Sequence, residues 1–112
     1  MPSIKLETSA VLTKEQEAAL ALEITDLSAA LLNKPIEVIQ VRIESNVTIS
    51  FGGVVSQNSA FLSIAMIGNI AHDVRPTLPE KFAAILSKYG INKKQLFLNY
   101  TETPFDAWGW CE

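Results

Sequence analysis

Few side chains in this 112-residue sequence could do chemistry, and they do not cluster. The one histidine, His72, precedes Asp73 and Arg75 in a stretch with no element pattern. No serine and carboxylate are spaced to make a nucleophilic triad with it, and a lone loop histidine is ordinarily solvated. The one cysteine, Cys111, can form neither an internal disulfide nor a multi-cysteine zinc site, so it reads as a free thiol. Phe51-Gly52-Gly53 lacks the glycine spacing and the lysine of a phosphate loop, and it reads as a turn. Pro2 is different. Methionine before proline is usually removed in cells, and its removal exposes a secondary amine. An ordinary α-amino group titrates at about 8. Burial against apolar residues lowers that value, because the charged form loses hydration. A neutral amine at physiological pH can take a proton from carbon. With Met1 in place the Pro2 nitrogen is an amide and has no basic lone pair.

Composition narrows the setting for such a base. The length fits one domain, residues 1–112, with a modest core that oligomerisation would supplement. Hydrophobic residues at 48% and charged residues at 19% exclude a disordered tail, a collagen-like chain and a coiled coil. Nine Lys and Arg against twelve Asp and Glu leave a net charge of -3, which argues against a nucleic-acid partner. No basic segment leads into an apolar one at the amino terminus, so no signal peptide is expected. The most apolar window, residues 60–70, is interrupted by Ser63, Gly68 and Asn69 and falls far short of the ~20 residues a spanning helix needs. The expectation is a cytoplasmic protein without a membrane partner. The sequon at Asn46-Val47-Thr48 then has no role.

The elements that must position Pro2 follow from periodicity. Residues 3–8 alternate, with Ile4 and Leu6 on one face and Lys5 and Glu7 on the other, as in a half-buried strand. Thr13 and Gln16 form a capping-box pattern, and Leu20, Ile24, Leu27 and Leu31 make one helix face. Asn33 suits a left-handed cap and Pro35 stops the helix. Residues 38–44 alternate again, and residues 47–51 make a short strand ending at the glycine pair. Residues 60–67 are nearly all apolar, which predicts a strand covered on both faces. Between Ser45 and His72 there is no Asp, Glu, Lys or Arg, a stretch that burial against other chains would explain. Residues 77–89 predict a second helix with Pro79 in its first turn and Gly90 as its cap. Residues 96–101 predict another strand, and Trp108-Gly109-Trp110 a last short one. The order is strand, helix, strand, twice: an α+β fold of two β-α-β units in one sheet.

Six features occur in one order at matching spacings. They are the strand starting at Pro2, Asn33-Lys34-Pro35, Phe51-Gly52-Gly53, Ile67-Gly68, Phe97-Leu98-Asn99-Tyr100 and Trp108-Gly109-Trp110. Together they make the chain, from Met1 to about Trp110, resemble the macrophage migration inhibitory factor family of the tautomerase superfamily. The resemblance implies a β-α-β repeat with a four-stranded mixed sheet and two helices, assembled as a homotrimer. It implies a keto-enol tautomerase acting on phenylpyruvate-like α-keto acids, with Pro2 as the general base and no cofactor or metal. Lys34 would meet the substrate carboxylate or the developing enolate charge. The backbone of Ile67 would bind substrate, Asn99 would come from a neighbouring subunit, and Trp108 and Trp110 would wall the pocket. Phe97 stands where the family often has tyrosine, so one hydroxyl contact is lost. Ala65-Met66 replace a His-Ser pair, and Ser59 and Leu62 replace a redox Cys-x-x-Cys. Each residue also has a plain reading: Lys34 as a helix C-terminal cation, Ile67 as core, the tryptophans as interface anchors. Two alternatives stay open, a non-enzymatic interaction protein of this fold and another superfamily reaction on a small keto acid. The latter would call on arginines, of which only Arg42 and Arg75 exist.

Overall fold

The computed structural model describes residues 1–111. Strand β1 (Pro2–Thr8) runs into helix α1 (Lys14–Leu32), which returns to strand β2 (Gln40–Glu44). A hairpin of β3 (Ile49–Phe51) and β4 (Val54–Ser56) follows, then β5 (Ala60–Ile67), α2 (Leu78–Leu86) and β6 (Leu96–Thr103). The main sheet has the order β2-β1-β5-β6. The outer pairs, β1 with β2 and β5 with β6, are parallel, and the central pair β1 with β5 is antiparallel. Each helix is thus the crossover of a β-α-β unit, and the two units meet back to back at the middle of the sheet.

Local chemistry sets the helix limits. Gln16 N–H donates to the Thr13 hydroxyl at 3.1 Å, and Thr13 N–H donates to Gln16 Oε1 at 2.9 Å, so the box closes. Asn33 ends α1 at φ 53° and ψ 51°, the left-handed cap. α2 is shorter than the pattern suggests: 3-10 turns at Arg75–Thr77 and Ser87–Tyr89 occupy the ends of the expected 77–89 span.

Both helices lie on one face of the sheet. Ile4, Leu6, Leu62, Ile64 and Met66 point to that side and are buried under Leu20, Ile24, Leu78, Phe82 and Leu86. The buried line on α1 is Leu20, Ile24, Ser28 and Leu32, while Leu27 and Leu31 sit half-buried at its edge. The expected stripe is therefore rotated by part of a turn, because Ser28 occupies an inward position that no apolar pattern reveals.

Four expectations change. β5 is covered on one face only: Ala60, Leu62, Ile64 and Met66 are buried, while Phe61, Ser63, Ala65 and Ile67 lie on the open side. Its apolar run is thus a one-sided strand with small or apolar residues on its bare face. Of residues 47–51 only Ile49–Phe51 form a strand, and it is half of a hairpin: Gly52 (φ 61°) and Gly53 (φ 80°) make a two-residue turn into β4, a backbone with two positive φ values that glycine supplies freely. Trp108-Gly109-Trp110 forms no strand; a 3-10 turn at Phe105–Ala107 precedes it, and no strand among the described residues pairs with it. The β2 strand also starts later than Val38, because Ile36–Val38 is a 3-10 turn after Pro35.

Candidate active site

Pro2 opens β1 and is fully buried. Its ladder partner is Met66, also buried. A cavity of about 410 Å³ lies at this end of the sheet. Its walls include Met1, then Pro2 and Ser3 from β1, Glu37 and Gln40 around the start of β2, and Trp108 and Trp110 from the C-terminal segment. The two tryptophans approach the amino terminus because the chain turns back after β6 through Pro104 and the Phe105–Ala107 turn. Trp108 is half-buried and Trp110 exposed.

The electrostatics favour a neutral amine here. The terminal amine of Met1 is held below the ordinary α-amino value, first by burial and second by the Lys34 ammonium. Both causes penalise the charged form. Lys34 follows the left-handed cap residue Asn33, with its N–H donating to Ala29 O at 3.2 Å, and is half-buried. The cap that ends α1 therefore also brings a cation near the amino terminus.

The other candidates do not line this cavity. Ile67 is one residue beyond the Pro2 partner Met66, and it borders a separate hollow of about 300 Å³ with Gly68, Glu102 and Phe105. Phe97 pairs in register with Phe61, which pairs with Glu7. That is five residues along β1 from Pro2, about 17 Å at strand spacing. Phe97 stacks against Phe51 with ring centroids 5.3 Å apart and walls a different cavity of about 450 Å³. Asn99 lies in the Ser63 and Lys5 row and is exposed. Within one chain, then, Pro2, Trp108 and Trp110 share a cavity with Lys34 nearby, and Phe97 and Asn99 do not reach it. Arg42 is exposed on β2, His72 is exposed, Cys111 is an exposed free thiol, and Arg75 is paired with Glu102.

Sequence reasoning passes over Ser3, Glu37 and Gln40 in the cavity wall. Ser3 and Gln40 are partners in the parallel ladder, and the Ser3 hydroxyl donates to Gln40 Oε1 at 2.8 Å. The alternation of β1 and β2 held that signal, since both are outward positions beside the amino terminus.

A family model described as macrophage migration inhibitory factor matches residues 1–111. No curated protein matches the sequence. Solved structures do. A macrophage migration inhibitory factor-like protein from Entamoeba histolytica aligns with a TM-score of 0.89 at 24% identity, covering 98% of this chain and 95% of that one. The factor from Trichinella spiralis aligns at 0.82 and 25%, covering 96% and 95%. A protein named Pt0534, in a form inactivated by 2-oxo-3-pentynoate, aligns at 0.85 and 13%, covering 96% and 90%.

Proposed function

The chain belongs to the macrophage migration inhibitory factor family, and from that premise we propose that it is a keto-enol tautomerase of α-keto acids with Pro2, freed of Met1, as its general base. One observation carries the reading: buried Pro2 lines a cavity walled by Trp108 and Trp110, at an end of β1 where burial and then Lys34 lower the pKa of the Met1 amine that precedes it.

The proposed step moves one proton. The neutral Pro2 amine takes the proton from the enol hydroxyl of the substrate, and the C–O bond becomes a carbonyl. The electron pair of the enol double bond then takes a proton at the neighbouring carbon from the resulting ammonium, which restores the base. The substrate is isomerised with no net gain or loss. Charge builds on the oxygen in between, and Lys34 supplies the fixed cation that stabilises it. Trp108 and Trp110 offer a flat apolar wall to an aromatic tail such as that of phenylpyruvate.

Phe97 and Asn99 belong in this reading only if a second copy supplies them. Their separation from Pro2 along the sheet supports a homotrimer whose neighbouring subunit completes each pocket. The bare, uncharged face of β5 supports the same assembly.

The test is an ultraviolet assay of phenylenolpyruvate ketonisation on protein whose mass lacks Met1, beside Pro2→Gly. A rate that collapses in the variant is expected. A rate equal to buffer in the unmodified protein sinks the tautomerase reading and favours an interaction protein of this fold. The inactivation of Pt0534 suggests a second readout. An alkynyl α-keto acid is a Michael acceptor for a neutral amine, so 2-oxo-3-pentynoate should add its mass to the Pro2-terminal peptide of this chain.

A further inference from the structure

The backbone of Ile70 is gripped from both sides. Its N–H donates to Glu102 Oε2 at 2.7 Å, and its carbonyl accepts from Arg75 Nε at 3.1 Å. The same Glu102 oxygen accepts from Arg75 Nη2 at 2.6 Å. The guanidinium also lies 5.2 Å from the centre of the Tyr100 ring. These side chains are 25% and 27% exposed, so the pair is well shielded from solvent. Charge-assisted bonds of this length are roughly twice as strong as neutral ones. Glu102 is held below the usual carboxylate range, first by the Ile70 N–H and also by Arg75.

The segment held this way borders the amino terminus. Pro2, Met66 and Glu102 form one row across β1, β5 and β6. Ile67 is the next position on β5, level with Met1. Once Met1 is gone, the Pro2 amine ends β1, and the backbone of Ile67 and Gly68 is the next stretch of the adjoining strand. Gly68 N–H donates to Thr103 O at 3.2 Å, so residues 67–70 are fixed at one end by the sheet and at the other by the clamp.

We propose that Arg75 and Glu102 are positioning residues for the Pro2 proton transfer, acting by fixing backbone residues 67–70 beside the amine. The proposal rests on the tautomerase reading above. Neither side chain touches substrate. Their effect runs through placement, where a shift of about 1 Å at a reacting centre can cost about 10²-fold in rate.

The experiment compares wild type, Glu102→Gln, Arg75→Leu and Arg75→Lys, all free of Met1. It measures kcat and KM for phenylenolpyruvate, the pH profile of kcat/KM, and the melting curve. Glu102→Gln keeps an acceptor for Ile70 but loses the charge that draws in Arg75. Its kcat/KM should fall about tenfold at a temperature where it is fully folded. The ascending limb of the pH profile should stay in place, because the burial and the Lys34 charge that tune the amine are untouched. Arg75→Lys should retain more activity than Arg75→Leu, and it carries the test if Glu102→Gln does not fold. Unchanged kcat/KM in the folded variants overturns the clamp alone. A loss that merely tracks the unfolded fraction also overturns it, as does a shifted ascending limb. An inactive wild type overturns the tautomerase reading and the clamp with it.

Discussion

In Lys34 one ammonium serves two ends. It stands just past the C-terminus of α1, where a cation complements the helix dipole, and it disfavours charge on the terminal amine. Lys34→Ala should therefore do two things. It should lower kcat/KM about 10²-fold, the usual loss for one stabilising group at a developing oxyanion. It should also raise the pKa of the freed Pro2 amine, because a nearby ammonium disfavours a second positive charge. The ascending limb of the pH profile would move to higher pH. A lower rate with an unmoved limb would leave Lys34 as a substrate contact that does not tune the base. Ser28 gives a residue-scale prediction about stability. Its hydroxyl is fully buried in α1 and has no hydrogen-bond partner among the described residues. Such an unpaired group costs about 1–3 kcal/mol. Ser28→Ala keeps the size, raises helix propensity and should stabilise the chain by about 1 kcal/mol in urea titrations.

At the scale of elements, the two helices are joined by a polar contact at the surface end of the core. Glu23 of α1 accepts from Lys88 and, at 2.6 Å, from the Tyr89 hydroxyl just after α2. Lys88 and then Tyr89 hold the Glu23 carboxyl below its usual range. Glu102, across the sheet, is depressed as well. A carboxylate with a lowered folded pKa contributes stability above its unfolded pKa, and that stability is lost as pH falls through the folded value. The melting temperature should thus drop below about pH 4.5. The drop should be shallower in Glu23→Gln, which has already lost that linkage; an identical slope in the variant would remove Glu23 from the account. The helix start gives a second test. Thr13→Ala breaks the closed box and should cost about 1 kcal/mol in denaturant unfolding.

These same elements show how far a sequence carries. Alternation located β1 and β2, Thr13 and Asn33 marked the ends of α1, and Gly90 marked the end of the 3-10 turn that follows α2, because each of those signals is local. The β4 strand escaped because Val54, Val55 and Ser56 are too few to show a period. The bare face of β5 escaped because Phe61, Ala65 and Ile67 are apolar whether or not helices cover them. Pro2, Lys34 and the tryptophans were legible through the family resemblance. Ser3, Glu37, Gln40 and the Arg75–Glu102 clamp were not, since each depends on a register between strands or loops far apart in the chain.

For the whole molecule, the open surfaces argue for company. Among the described residues β2 and β6 are both edges of the main sheet, and the β3–β4 hairpin pairs only with itself. Val54, Val55, Phe97, Phe105 and Trp110 are each more than half exposed, on a chain with a net charge of only -3. Open edges and exposed apolar groups of this kind invite pairing with other chains. Under the proposed trimer they are interface, and the pocket at Pro2 is complete only when a neighbour brings Phe97 and Asn99 to it. Activity and assembly should then fall together. Val55→Lys places a charge on the hairpin, far from the Pro2 cavity of its own chain. Sedimentation should show wild type near three times the 12.3 kDa chain mass and the variant as smaller species. The ketonisation rate per chain should decline with the trimer fraction as protein is diluted. A monomeric Val55→Lys protein with full activity would mean that the single-chain cavity of Pro2, Trp108 and Trp110 is sufficient. Phe97 and Asn99 would then have no part in the reaction.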